Sequence, residues 1–193
     1  MPQVKDLLIE QLQDLLHAET QLTAALPKMA EAANHPTLKE AFEKHLVQTS
    51  GQIERLRKVF ELLGEKAESK PCKAMKGLIE EGQETIEKGA DKDPLAADLA
   101  LIAAAQRVEH YEIACYGTVR SMARQLGEIG CARLLSHTLG EEESADFLLT
   151  AISDPLIQQL SLDDAGANVN LGGDDKRPPA RRRKSEKTER LAS

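Results

Sequence analysis

The 193-residue sequence predicts an all-α domain built as a four-helix bundle. Apolar residues recur in steps of three and four along four long stretches, the signature of helices with one buried face. Hydrophobic residues make up 41% of the chain but aromatics only 3%, and Trp is absent, so the core is mostly Leu, Ile, Val and Ala, a composition that favours helices. No stretch alternates with period two for long enough to form a strand.

The first helix is expected from Val4 to about Ala33, where Leu8, Leu12, Leu15, Leu22, Leu26 and Met29 share a face and Pro27 should introduce a kink. The second starts near Pro36-Thr37, carries Leu38, Phe42, Leu46, Ile53, Leu56, Val59, Phe60 and Leu63, and ends at Gly64. A short helix follows Ser69-Lys70-Pro71, with Met75, Leu78, Ile79 and Ile86 as its stripe, and stops around Gly89. The third long helix opens at Asp93-Pro94, an N-cap followed by a first-turn proline, and runs to about Leu126. The fourth spans roughly Cys131 to Ile152 and is expected to close at Asp154-Pro155.

The stretch from Glu65 to Lys92 is long enough to run the length of a bundle. The predicted topology is therefore ferritin-like, with a short extra helix in the crossover between the second and third long helices. Residues 1–158 form the bundle; residues 159–193, rich in Gly, Pro and charge, are expected to be a disordered tail.

The formal charge of -7 is uneven: residues 161–193 carry +2 and the preceding body -9. An acidic body argues against nucleic acid as the main partner, leaving only weak phosphate contact through the segment KRPPARRRK. Cys72, Cys115 and Cys131 form no CxxC pair and read as free thiols and small core residues in a reducing, cytoplasmic compartment. The richest apolar run, AADLALIAAA at 96–105, is too short to span a bilayer and contains Asp98, so no membrane is expected.

The apolar stripes are interrupted at a common depth. Glu19 breaks the series 8, 12, 15, 19, 22, 26; the second helix turns His45, Gln48 and Gln52 inward; and QRVEHYEIACY (106–116) places Glu109 and Glu112 on the face of Ile102, Ala105 and Tyr116. On the fourth helix, Glu142 falls on the inward series 135, 138, 142, 145, 149, with Asp146 one turn further. An ionised carboxylate in a dry core costs several kcal/mol, so several together would exceed a net stability of ~5–15 kcal/mol unless compensated. Arg107 and Arg120 are expected to point elsewhere, which leaves a multivalent cation, and carboxylates with one imidazole suit iron or manganese.

The candidate metal ligands are therefore Glu19, His45, Gln48, Glu109, Glu112, Glu142 and Asp146. Gln48, Gln52 and Asp146 read equally as hydrogen-bonders behind the ligands, and His45 equally as an interfacial histidine. Register alone selects Glu142 from Glu141, Glu142 and Glu143. Tyr116 is read as a packing residue, with a hydrogen bond to a site carboxylate as the alternative. His17, His35, His110 and His137 are read as solvent-facing or cap-like.

Four segments carry a resemblance: HLVQTSGQIERLRKVFELLG (45–64), CKAMKGLIEEG (72–82), AAAQRVEHYEIACYGT (103–118) and LGEEESADFLLTAI (139–152). They resemble the YciE/YciF family of stress-associated ferritin-like proteins, over residues 4 to about 155. The resemblance implies a ferritin-like bundle, commonly dimeric, with a di-iron or di-manganese site and ferroxidase activity by similarity. Against the usual ferritin-like di-iron pattern, Glu19, Glu109 and Glu112 match directly. The second helix instead offers His45-x-x-Gln48, and the fourth has Glu142 followed by Ala145 and Asp146 with no histidine.

The expected function is that of a cytoplasmic homodimer binding two iron or manganese ions per chain and oxidising Fe(II) or detoxifying peroxide, with O2 or peroxide as co-reactant. The alternative is a non-enzymatic helical stress module whose metal is structural.

Overall fold

The computed structural model describes residues 2–171, with side chains through 163. Its helices are α1 (Pro2–Ala32), α2 (Pro36–Leu63), α3 (Lys73–Gly89), α4 (Pro94–Gln125) and α5 (Ile129–Leu171), and no strand occurs among the described residues. The chain divides into two compact units, Met1–Leu160 and Ser161–Ser193, and the bundle lies in the first.

Local chemistry sets most boundaries. Asp93 caps α4, its side chain accepting from the backbone N–H of Leu95 at 2.9 Å and of Ala96 at 3.3 Å, and Pro94 occupies the first turn, where no partner for its nitrogen is needed. The His35 ring caps α2 by accepting from Thr37 N, and Gly64 ends that helix in the left-handed conformation at φ 73°. Cys72 has a polar task beyond the packing expected of it: its Sγ accepts from Met75 N at 3.4 Å and caps α3.

Neither internal proline ends its helix. Helix α1 runs on through Pro27, with Leu26, Met29 and Ala30 buried on either side of it. For α5 this corrects the expectation of a stop at Asp154-Pro155. Ile152 and Leu156 continue the buried stripe of Leu149 across the proline, and their burial outweighs the one backbone hydrogen bond lost there. The helix continues to Leu171, so the first part of the expected disordered tail is helical; the remainder, 172–193, lies outside the described residues.

The polar contacts give the helix directions. Lys5, near the start of α1, pairs with Glu65 just past the end of α2 at 3.0 Å, so α1 and α2 are antiparallel. Asn34 and His35 meet Asp98 near the start of α4, so α2 and α4 set out from the same end and run parallel. Helix α5 returns antiparallel to both, with Cys131 near Val59 and Asp146 near Gln106. Two parallel neighbours in sequence require a crossover, and α3, packed on α1 and α4, lies within it. The result is the ferritin-like bundle.

The core is not continuous. One apolar cluster gathers Leu22, Leu26, Phe42, Leu101, Ile102 and Leu149 toward the Asp98 end. A second gathers Leu8, Leu12, Leu56, Phe60, Val119 and Leu135 toward the other. Between them lies a polar layer.

Candidate metal centre

That layer is made of side chains that helical register turns inward at mid-height: Glu19 from α1; His45, Thr49 and Gln52 from α2; Glu109 and Glu112 from α4; Thr138 and Glu142 from α5. All are 0–5% exposed. His45, Glu109, Glu112 and Glu142 each bring one ligand atom to within 4.8 Å of the others, a spacing that could hold a metal ion. Glu142 is the inward member of its acidic run; Glu141 is half-buried and Glu143 exposed.

The hydrogen bonds leave the centre of the layer short of donors. Both oxygens of Glu112 and one each of Glu19, Glu109 and Glu142 are buried without a partner, as are His45 Nε2 and Gln52 Oε1. Buried polar atoms are nearly always satisfied, so this many orphans at one depth set the layer apart from an ordinary core and agree with a group that could hold a metal ion. The imidazole agrees. His45 Nδ1 lies 3.2 Å from Gln48 Oε1, which can only accept, so Nδ1 carries the proton. Nε2 is turned toward Glu109 and Glu142, each 3.5 Å away. A proton or a cation between that nitrogen and the two carboxylates satisfies all three, and the ring is oriented as a metal-binding histidine needs.

Electrostatics record the same strain. Burial, reinforced by neighbouring acids, pushes Glu109 up to about 8 and Glu142 up to about 9. Glu19 and Glu112 are raised well above the usual carboxylate range, first by burial and then by Glu142 on Glu19 and by Glu19 on Glu112. Without a metal, protons hold this cluster together. The donor set of four carboxylates and one imidazole fits hard or borderline divalent cations, and four negative charges balance two such ions.

Not every expected ligand belongs to the group. Gln48 is half-buried, and its Oε1 meets the His45 ring at Nδ1 and orients it. Asp146 is also half-buried, one turn beyond Glu142, and accepts from Gln106 Nε2 at 3.0 Å and lies 3.3 Å from His110 Nε2. Glu19 lies outside the four-residue group, and its contact is Tyr116, whose hydroxyl donates to Glu19 Oε1; the hydrogen-bonding alternative for Tyr116 is the one realised.

Gln52 takes the hydrogen-bonding role expected as one of its two readings: it donates to Glu142 and to Glu141 and so holds the Glu142 carboxylate in place. Another participant was missed. Arg107 is exposed, as expected, but Arg55, one turn past Gln52, reaches inward and grips Glu141 with both nitrogens at 2.9 and 3.0 Å while donating to Thr138 at 2.5 Å. The three-residue step from Gln52 to Arg55 was the available signal.

The fold and the layer together define a class: an all-α, ferritin-like bundle with a buried carboxylate–imidazole cluster. The chain belongs to the family described as "Domain of unknown function (DUF892)", whose model matches residues 3–161. Protein YciF of Escherichia coli strain K12 is 47% identical over 154 residues, 79% of this chain and 92% of that protein. The crystal structure of the E. coli stress protein YciF superposes with a TM-score of 0.78 at 45% identity, covering 82% of this chain and 99% of that one. A protein from Rhodopseudomonas palustris titled a putative structural protein gives 0.73 at 44% identity, over 76% of this chain and 92% of that one. A Xanthomonas campestris protein at 21% identity shares the fold, with a TM-score of 0.63 over 84% and 99% of the two chains.

Proposed function

We propose that the chain binds two iron or manganese ions in the mid-bundle layer and couples oxidation of Fe(II) to reduction of O2 or peroxide. The observation that carries this reading is the convergence of three buried glutamates, Glu109, Glu112 and Glu142, on a histidine nitrogen, with buried Glu19 in the same layer; five oxygens of the four acids have no partner, nor has that nitrogen. His45, Glu109, Glu112 and Glu142 form the tighter group, and Glu19 extends it on the α1 side. His45, Glu109, Glu112, Glu142 and Glu19 would hold the metal pair, which when bound would supply the two electrons that, with two protons, carry one peroxide to two waters. The chain's own contribution is to exclude water, to fix His45 through Gln48 and Glu142 through Gln52, and to hold Glu19 through Tyr116.

We include a homodimer in this reading. Val47 on α2 and Phe147 on α5 are 73% and 74% exposed, large apolar side chains that a second copy could cover. The three cysteines are free thiols, in keeping with the proposed cytoplasmic setting. No helix among the described residues is long and apolar enough to cross a membrane.

Aerobic addition of Fe(II) should give a saturable oxidation rate near about two metals per chain, abolished in Glu19→Ala and Glu112→Ala; an unaltered rate in both variants overturns the proposal. The absence of a histidine one turn after Glu142 favours a second reading, a structural metal in a helical stress module. Metal that raises the melting temperature but never turns over would select it.

A further inference from the structure

Beneath α3, between it and the groove formed by α1, α2 and α4, lies a cavity of about 260 Å³. Its walls are apolar, from Leu22, Met29, Phe42, Leu78 and Val108. It exists because the helices facing α3 present alanines there, Ala24 and Ala25 on α1 and Ala104 and Ala105 on α4, which leave a volume that Leu78, Ile79 and Ile86 do not fill. The two ends differ. At the outer end Ala24 and Lys28 are exposed; at the inner end are His45 and Glu109, both buried and both with an unpartnered atom.

An apolar cavity forfeits dispersion contacts unless something occupies it. An engineered apolar cavity of ~150 Å³ accepts benzene, so by proportion this one has room for about ten non-hydrogen atoms, well beyond a diatomic gas. Charge then orients the occupant. The exposed Lys28 ammonium at the rim attracts an anionic group, and the glutamates behind the inner wall, protonated or neutralised by metal, offer no positive charge to compete for it. We propose that the cavity is a binding site for a medium-chain carboxylate of about eight carbons, its carboxylate on Lys28 and its chain running inward until its end rests against His45 and Glu109. This goes beyond the metal reading and shares with it only the His45–Glu109 wall.

The test is isothermal titration calorimetry with octanoate, 1-octanol and acetate against the full chain, both chelator-treated and loaded with Mn(II). Octanoate is expected to saturate at one molecule per chain with a sub-millimolar dissociation constant in both forms, and acetate not to bind. Lys28→Glu, at an exposed position, should weaken octanoate about tenfold and leave 1-octanol unchanged. Ala25→Phe should fill the cavity and abolish binding of both. Gly82→Leu provides the same filling from α3, where an added Cβ meets nothing closer than Met29 Sδ at 4.0 Å, and circular dichroism identifies any variant that fails to fold. No saturable octanoate binding, or binding indifferent to both filling variants, overturns the proposal; equal affinity for octanol with a silent Lys28→Glu overturns the carboxylate assignment. Octanoate binding without any metal binding would sink the metal reading alone, and the converse would sink this one alone.

Discussion

Two regions of this bundle bury acids, and they do so in opposite ways. Asp98, at 1% exposure, uses both oxygens: Oδ1 accepts from Asn34 N at 2.8 Å and Asn34 Nδ2 at 3.3 Å, and Oδ2 from His35 N at 2.7 Å. It thereby satisfies the free N–H groups where α1 hands over to α2, a structural acid complete in itself. Glu112, equally buried, has no partner on either oxygen. Burial of a carboxylate is therefore not what marks a site; burial without satisfaction is.

The largest effect should come from breaking the second region. Glu112→Ala is expected to remove Mn(II) binding, read by equilibrium dialysis, while Asp98→Ala leaves the stoichiometry at about two per chain. The metal-free Glu112→Gln protein should be no less stable than the metal-free parent, since it removes an acid that has no partner. Next, Asp98→Ala should cost about 2–4 kcal/mol in urea unfolding, because two backbone N–H groups lose their acceptor. If Glu112→Gln in the metal-free protein proved as damaging as Asp98→Ala, the contrast between the two regions would collapse.

The pH dependence sharpens the same contrast. Glu109 and Glu142 have folded-state values of about 8 and 9 against an ordinary 4.5, so in the metal-free protein the folded state holds protons that the unfolded state releases. Their favourable contribution is intact below about pH 4.5 and is lost progressively as pH rises through 8 and 9. Melting temperature of the metal-free protein should therefore fall across that window. With saturating Mn(II) the trend should reverse, because metal competes with those protons; parallel curves would contradict a shared site.

Smaller effects test the supporting residues. Gln48→Leu should lower metal affinity about tenfold by releasing the His45 ring. Tyr116→Phe should cost about 1 kcal/mol through the lost bond to Glu19. Asp146→Asn should change stoichiometry least of all, since that carboxylate is engaged by Gln106.

Much of the site was legible because a charge inside a regular stripe is conspicuous. Glu19 among leucines and Glu109 with Glu112 opposite Ile102 and Tyr116 need only helical periodicity to be placed. Gln48 and Gln52 could not be separated that way: they stand one turn apart, and the rotation of α2 against its neighbours decides which enters the core. Asp98 was visible as a charge in an apolar run, but its task depends on the end of α1 arriving beside it. Arg55 escaped notice, and Glu141 was weighed only against its neighbours in the acidic run, because each lies at the edge of its inward face, where reach across to another helix, rather than register, sets the partner.

The sequence alone determined the helices, most of their caps, the topology of the crossover and the depth at which the glutamates gather, all consequences of short-range periodicity and local hydrogen bonding. Only the tertiary structure decided that α5 continues past Pro155, which oxygens are left without donors, and that small residues on α1 and α4 open a cavity under α3. Those outcomes depend on distances between elements far apart in the chain, and packing, unlike period, is written on no single helix.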